Sequence, residues 1–166
     1  MTAIRIITGG QTGVDRAALE VATERSIPYG GWCPRGGWAE DMSNPPGLLA
    51  TYPLMRETPL GDPAQRTQWN VRDSDATLIV VDARGVSVSR GTELARVLAG
   101  QYGRPFHIAD LSGPDAVART VAWLRPLLKD GSNVALAIGG PRESEAPGIH
   151  TTAKSFIRAL LSQVDG

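Results

Sequence analysis

Ile4-Arg5-Ile6-Ile7-Thr8-Gly9-Gly10-Gln11-Thr12-Gly13 is a short apolar, β-branched run that stops in a glycine-rich polar turn, after which helical spacing begins. The pattern recurs twice. Thr77-Leu78-Ile79-Val80-Val81 leads through a short loop to Ser89-Arg90-Gly91-Thr92, and Val134-Ala135-Leu136-Ala137-Ile138 runs into Gly139-Gly140-Pro141-Arg142. Strand, turn and helix in repetition build a parallel sheet. Glycine lets the backbone approach a ligand closely, and a helix start presents unpaired N–H groups to an anion. Three such turns on parallel strands converge at one edge of an open α/β sheet, where such sheets bind ligands. The chain therefore reads as a pocket for a phosphate-bearing molecule.

Working outward, the first strand spans 3–8 and a helix follows at about 13–25, with Val14, Ala17, Ala18, Val21 and Ala22 on one face. Thr12 is placed to cap it, with Asp15 three residues on as in a capping box. A second short strand is expected near 28–32. Residues 36–53, rich in Gly, Pro, Ser and Asn, read as a long functional loop. A short strand follows within 52–58, and Asp62-Pro63 opens a helix to about Arg72. Residues 75–82 form a buried central strand, continuous rather than alternating in its apolar residues. The helix at about 91–102 is expected to bury Leu94, Val97, Leu98 and Tyr102. Then come a strand at 105–109, a helix opened by Pro114, a strand at 133–138 and a closing helix at about 150–164. In the last of these, Ala153, Phe156, Ile157, Leu160, Leu161 and Val164 follow core-face spacing. The expected fold is α/β, a doubly wound and mainly parallel sheet with helices on both faces, with residues 1–166 as one ligand-binding domain.

Composition narrows the function. Seventeen basic residues against 17 acidic ones argue against a nucleic-acid partner, though not against a local basic site. One cysteine, Cys33, excludes an internal disulfide, and with two histidines beside it no metal-ligand cluster is visible. Without a histidine base close in sequence, Cys33 reads as a packing residue rather than a nucleophile. No apolar run approaches membrane-spanning length and no signal peptide precedes the first strand, so a cytoplasmic protein without membrane contact is expected.

The candidate ligand-binding residues follow from the turns. Gly10, Gln11, Thr12 and Gly13 offer more donors than a tight turn requires, yet fit neither the Walker pattern nor the dinucleotide fingerprint. Ser89, Arg90, Gly91 and Thr92 place a hydroxyl, a guanidinium and free amides at a helix start, where the dipole favours an anion. Gly140, Pro141, Arg142 and Glu143 form the third turn. Arg16, Arg35, Arg66 and Arg72 are sources of local positive charge, of which two at most are expected to serve the site; Asn70 lies just before the central strand. Trp32 and Trp38 bracket the long loop, where packing is the favoured role.

These turns, together with Gly31-Trp32-Cys33-Pro34-Arg35-Gly36, Glu40-Asp41, Trp69-Asn70-Val71-Arg72-Asp73-Ser74-Asp75-Ala76 and Gly139-Gly140-Pro141-Arg142-Glu143-Ser144, resemble the molybdenum-cofactor carrier family over nearly the whole chain. The resemblance implies a Rossmann-like domain, usually homo-oligomeric, that holds the molybdenum cofactor (molybdopterin) without catalysis. It implies hand-over to molybdoenzymes or exchange with cofactor-biosynthesis proteins. The ligand would be a small anion, a pterin with a terminal phosphate.

A wider similarity, to the cytokinin-activating phosphoribohydrolases, keeps a second reading open: a nucleotide-binding protein or nucleotide N-glycosidase acting on nucleoside monophosphates. Those enzymes carry Pro-Gly-Gly-x-Gly-Thr-x-x-Glu. Here Val88-Ser89-Arg90 stands before Gly91, and the position three after Thr92 is Ala95. Glu93 is two residues off, a rotation of about 200° on a helix. The missing carboxylate removes the general acid/base and favours a binding protein. Arg66 falls at a phosphate ligand of that family.

Overall fold

The computed structural model describes residues 4–164. The strands of its main sheet are β1 (Ile4–Ile7), β2 (Tyr29–Gly30), β5 (Ala76–Val81), β6 (Phe106–Asp110) and β7 (Val134–Gly139). They are all parallel, in the order β2-β1-β7-β5-β6. A small parallel pair, β3 (Trp32–Cys33) and β4 (Arg56–Glu57), stands apart from it. Ala3, expected at the start of the first strand, lies outside the described residues.

The helices are α1 (Val14–Glu24), α2 (Leu48–Thr51), α3 (Pro63–Arg72), α4 (Arg90–Gln101), α5 (Ala116–Leu124) and α6 (Ile149–Val164). Strand alternation sorts them into two layers. Ile4, Ile6, Ala76, Leu78, Val80, Val134, Leu136 and Ile138 point to one face, where α1, α5 and α6 bury Ala17, Val21, Val121, Leu124, Ile157 and Leu160 against them. On the opposite face, Ile7, Thr77, Ile79 and Ala137 look toward α3 and α4. The doubly wound α/β expectation holds.

Three local expectations do not. The residue that caps α1 is Gly13, at φ 79°, and no side chain caps the helix. Thr12 is drawn instead to Glu40 and to the amide of Glu143. Residues 36–53 are not a bare loop: they contain α2, and with Leu19, Cys33, Ala39, Leu48 and Met55 they close over a second apolar cluster. In α4 only Thr92 and Ala99 are buried. Val97 is 39% exposed, and Leu94, Leu98 and Tyr102 are only partly covered, because α4 lies over the sheet near its edge, beside α3.

Asp62 caps α3 as expected, its carboxylate accepting the Ala64 amide at 2.9 Å. β5 is buried at all six positions. Cys33 is fully buried, and burial, reinforced by Glu57, pushes its thiol up to about 11, which makes it a packing residue.

Candidate functional site

A cavity of about 410 Å³ lies between the second sheet face and helices α3 and α4, at the carboxyl ends of β1, β7 and β5. Each wall has a local cause. β5 supplies Thr77 and Ile79, so a hydroxyl interrupts an otherwise apolar strand on its cavity side. α3 turns Arg66, Asn70 and Val71 inward. The start of α4 brings Ser89, Arg90, Gly91 and Thr92, and the turn after β7 brings Gly140 and Arg142.

The helix start is built for an anion. Ser89 Oγ accepts the Thr92 amide at 3.2 Å, which leaves the Arg90 and Gly91 amides, donors that an α-helix cannot pair itself. Gln11 is oriented by its surroundings. Its Oε1 accepts the amides of Thr12 at 3.0 Å and Glu40 at 2.9 Å, and its Nε2 is left without a partner among the described residues. Arg66 is 7% exposed and packs against Gly9, where a Cβ would lie 2.0 Å from Nη1. Its Nη1 reaches Asp15 Oδ2 at 3.3 Å.

Among the described residues, the buried side-chain polar atoms without a hydrogen-bond partner are Gln11 Nε2, Arg66 Nε, Thr77 Oγ1 and Thr92 Oγ1. All four belong to residues lining this cavity. Buried polar groups are nearly always satisfied, so four orphans around one hollow are a site waiting for a partner. Two of them can only donate, and two are hydroxyls.

Of the residues expected from sequence, Gln11, Asn70, Ser89, Arg90, Gly91, Thr92, Gly140 and Arg142 line the cavity; Gly10, Thr12, Gly13, Arg16, Arg35, Pro141 and Glu143 do not. The glycines of the first turn make room for protein. A Cβ on Gly10 would meet Leu48 at 2.8 Å, and one on Gly13 would meet the Pro141 carbonyl at 2.3 Å. Arg16 forms a two-pronged pair with Asp41, both contacts at 2.8 Å. Arg35 is exposed. Glu143 accepts the Gly148 and His150 amides, and so organises the entry to α6. Asn70 lines the cavity, but its amide is engaged with both backbone groups of Trp32. Trp32 packs edge-on against Trp69 and Trp38 lies beside Arg142, so neither ring forms a cavity wall.

Asp15, Arg66 and Thr77 complete the wall. Among the four arginines read as sources of local charge, Arg66 stands out in sequence only through the phosphoribohydrolase similarity, and Thr77 is legible only as a hydroxyl inside an apolar strand. Ala95 lines the cavity as well, whereas Glu93 pairs with Arg96. The position at which the phosphoribohydrolases hold their carboxylate thus presents a methyl group.

Residues 6–161 match the model of the circularly permutated YpsA SLOG family. Among solved structures, the crystal structure of the "Putative molybdenum carrier protein" from Syntrophus aciditrophicus SB is similar, with 37% identity and a TM-score of 0.83. The match covers 96% of each chain. No curated protein matches the chain.

The topology agrees with a permutation. Placing β7 and α6 ahead of β1 would renumber the sheet order 3-2-1-4-5, the Rossmann sequence. The turn at 139–142 then takes the place of the first glycine-rich turn, and the cavity sits at the switch point between β7 and β5. The chain belongs to the circularly permutated YpsA SLOG family.

Proposed function

We propose that this chain binds the molybdenum cofactor, an anionic pterin with a terminal phosphate, in the cavity between the sheet and α3/α4, and carries it without transforming it. One observation bears most of the weight: the four orphaned buried polar groups all belong to residues that line this single hollow. The 37% identity to the "Putative molybdenum carrier protein" supports the ligand class. The donor chemistry supports the same class: the Arg90 and Gly91 amides suit a phosphate, Arg66 supplies charge and Gln11 a further donor, and Thr77 and Thr92 suit the polar edge of a pterin.

In this reading Gln11, Arg66, Thr77, Ser89, Arg90, Gly91 and Thr92 touch the ligand. Gly10, Thr12, Gly13, Arg16, Pro141 and Glu143 shape the loops that hold those residues in place. Residues 1–166 act as one domain that assembles as a homo-oligomer and delivers the cofactor to molybdoenzymes or receives it from the proteins that make it. Ala95, in place of a carboxylate, favours carriage over nucleotide hydrolysis.

The test is native mass spectrometry of protein purified anaerobically from a host that makes the cofactor. A bound mass of the pterin, lost in the Thr92→Ala and Arg66→Met variants, is the expected result. A bound nucleotide, or release of free adenine from AMP, would overturn the carrier reading.

A further inference from the structure

Asp15 is out of place in an anion pocket. It sits in the first turn of α1, only 7% exposed, in a wall otherwise rich in donors. Its carboxylate accepts from the Arg66 guanidinium at 3.3 Å, and the backbone amides of Gln11 and Gly140 favour its ionised form. A carboxylate has about four lone-pair sites, so acceptor capacity remains beyond the Arg66 contact in a residue that lines the cavity.

The charged groups around it are few. Arg66 on α3 and Arg16 on its own helix favour the ionised form. Arg142 and Glu145, from the turn after β7, line the same cavity and act on Arg66 with opposite signs. Asp62 at the start of α3 and Arg90 at the start of α4 line it too, and both are exposed. Burial outweighs the cations and pushes the Asp15 carboxyl up to about 6.

Arg66 ties donor and carboxylate together, its Nη1 contacting Asp15 while its Nε has no partner, so an oxyanion held by this guanidinium lies close to the Asp15 carboxylate. Two bare negative charges in a poorly hydrated site repel strongly. One proton between them turns the repulsion into a hydrogen bond. Phosphomonoesters, with a second pKa of about 6, carry or acquire that proton easily near neutrality. A strong-acid oxyanion such as sulfate has none to give.

We propose that Asp15 makes the cavity select protonatable, phosphomonoester-type oxyanions over strong-acid oxyanions, the proton being shared between ligand oxygen and Asp15 Oδ. The proposal rests on the reading that the cavity takes an anion, and it adds which anions. Inorganic phosphate brings its own proton; sulfate enters only when Asp15 takes one from solvent.

The experiment is calorimetric titration of the intact protein with inorganic phosphate and with inorganic sulfate, near pH 7.5 and near pH 5. Near pH 7.5 phosphate should bind about tenfold or more tighter than sulfate, the equivalent of at least one pKa unit. Near pH 5 the gap should close. Sulfate binding near pH 7.5, followed in buffers of different ionisation heat, should take up one proton. Asp15→Asn should bind both anions alike at either pH; if that variant does not fold, the wild-type titrations decide alone. Equal affinities at both pH values would overturn the selection by Asp15 while leaving the anion site standing. Absence of binding by either anion at either pH would overturn both.

Discussion

Thr92 separates binding from scaffold more cleanly than any other residue. The residue is 3% exposed, and its hydroxyl has no partner among the described residues. Removing it breaks no internal hydrogen bond, so Thr92→Ala should melt within about 2 °C of wild type. A hydrogen bond to a charged ligand is worth about 1.5–3 kcal/mol, so the affinity for the cofactor should fall by roughly tenfold to a hundredfold. Calorimetry alongside thermal melting checks both; a large drop in melting temperature with unchanged affinity would make the residue scaffold. Asp15 gives a stability signature of its own. A carboxyl raised by burial favours the folded state while protonated, and that contribution fades as pH rises through about 6. The melting temperature of wild type relative to Asp15→Asn should therefore be higher near pH 5 than near pH 7.5. His107, which burial shifts downward, acts in the opposite sense but equally in both proteins. Single letters hid much of this. A glycine that yields to a ligand and one that yields to a side chain look alike in sequence, so Gly10 and Gly13 read as ligand contacts although Leu48 and Pro141 fill the space beside them. Arg66 differs from Arg16 only in what the fold places opposite it: Asp15 in the cavity wall against Asp41 at the surface.

At the scale of elements the sequence was far more legible, because strand and helix periodicities are local. The Asp62-Pro63 start of α3, the continuous apolar run of β5 and the core stripe of α6 all stand where their spacing puts them. What escaped were contacts between distant segments. The 36–47 segment is pinned to the third turn by Glu40, whose carboxylate accepts from Ser144 Oγ at 2.6 Å and from Thr12. The Glu40 amide meanwhile holds Gln11 in its donor-inward orientation. Glu40→Ala should therefore free both loops. Amide exchange at 10–13 and 143–145 should accelerate, and ligand affinity should fall although Glu40 does not line the cavity; unchanged exchange would show the clasp to be dispensable. At the α4 start, Ser89→Ala removes the cap and should cost about 1 kcal/mol. For a chain of this size that lowers the melting temperature by about 2–4 °C, with a further loss of anion affinity as the first turn frays.

For the whole molecule, the helix pattern that misled on burial becomes informative. Leu94, Val97, Leu98 and Tyr102 have the spacing of a core face, yet Val97 is 39% exposed and the others are only partly covered. α4 packs on α3, β5 and β6, and the edge strand β6 leaves Phe106 39% and Ile108 36% exposed. Apolar side chains gathered on a helix face and an adjoining sheet edge mark an association surface more often than a solvent-facing one. The homo-oligomer proposed above would form through this edge, a second copy supplying the layer that the helix periodicity anticipates. A charge placed there should be tolerated by the isolated chain, because Val97 lies outside the core and away from the cavity lining. Light scattering coupled to size-exclusion chromatography should give wild type a mass of at least two chains. Val97→Glu should elute with a single-chain mass, and its far-ultraviolet circular dichroism should be unchanged. A Val97→Glu protein that keeps the wild-type mass would move the interface elsewhere. A wild type already at single-chain mass would leave the α4 face as an ordinary exposed surface.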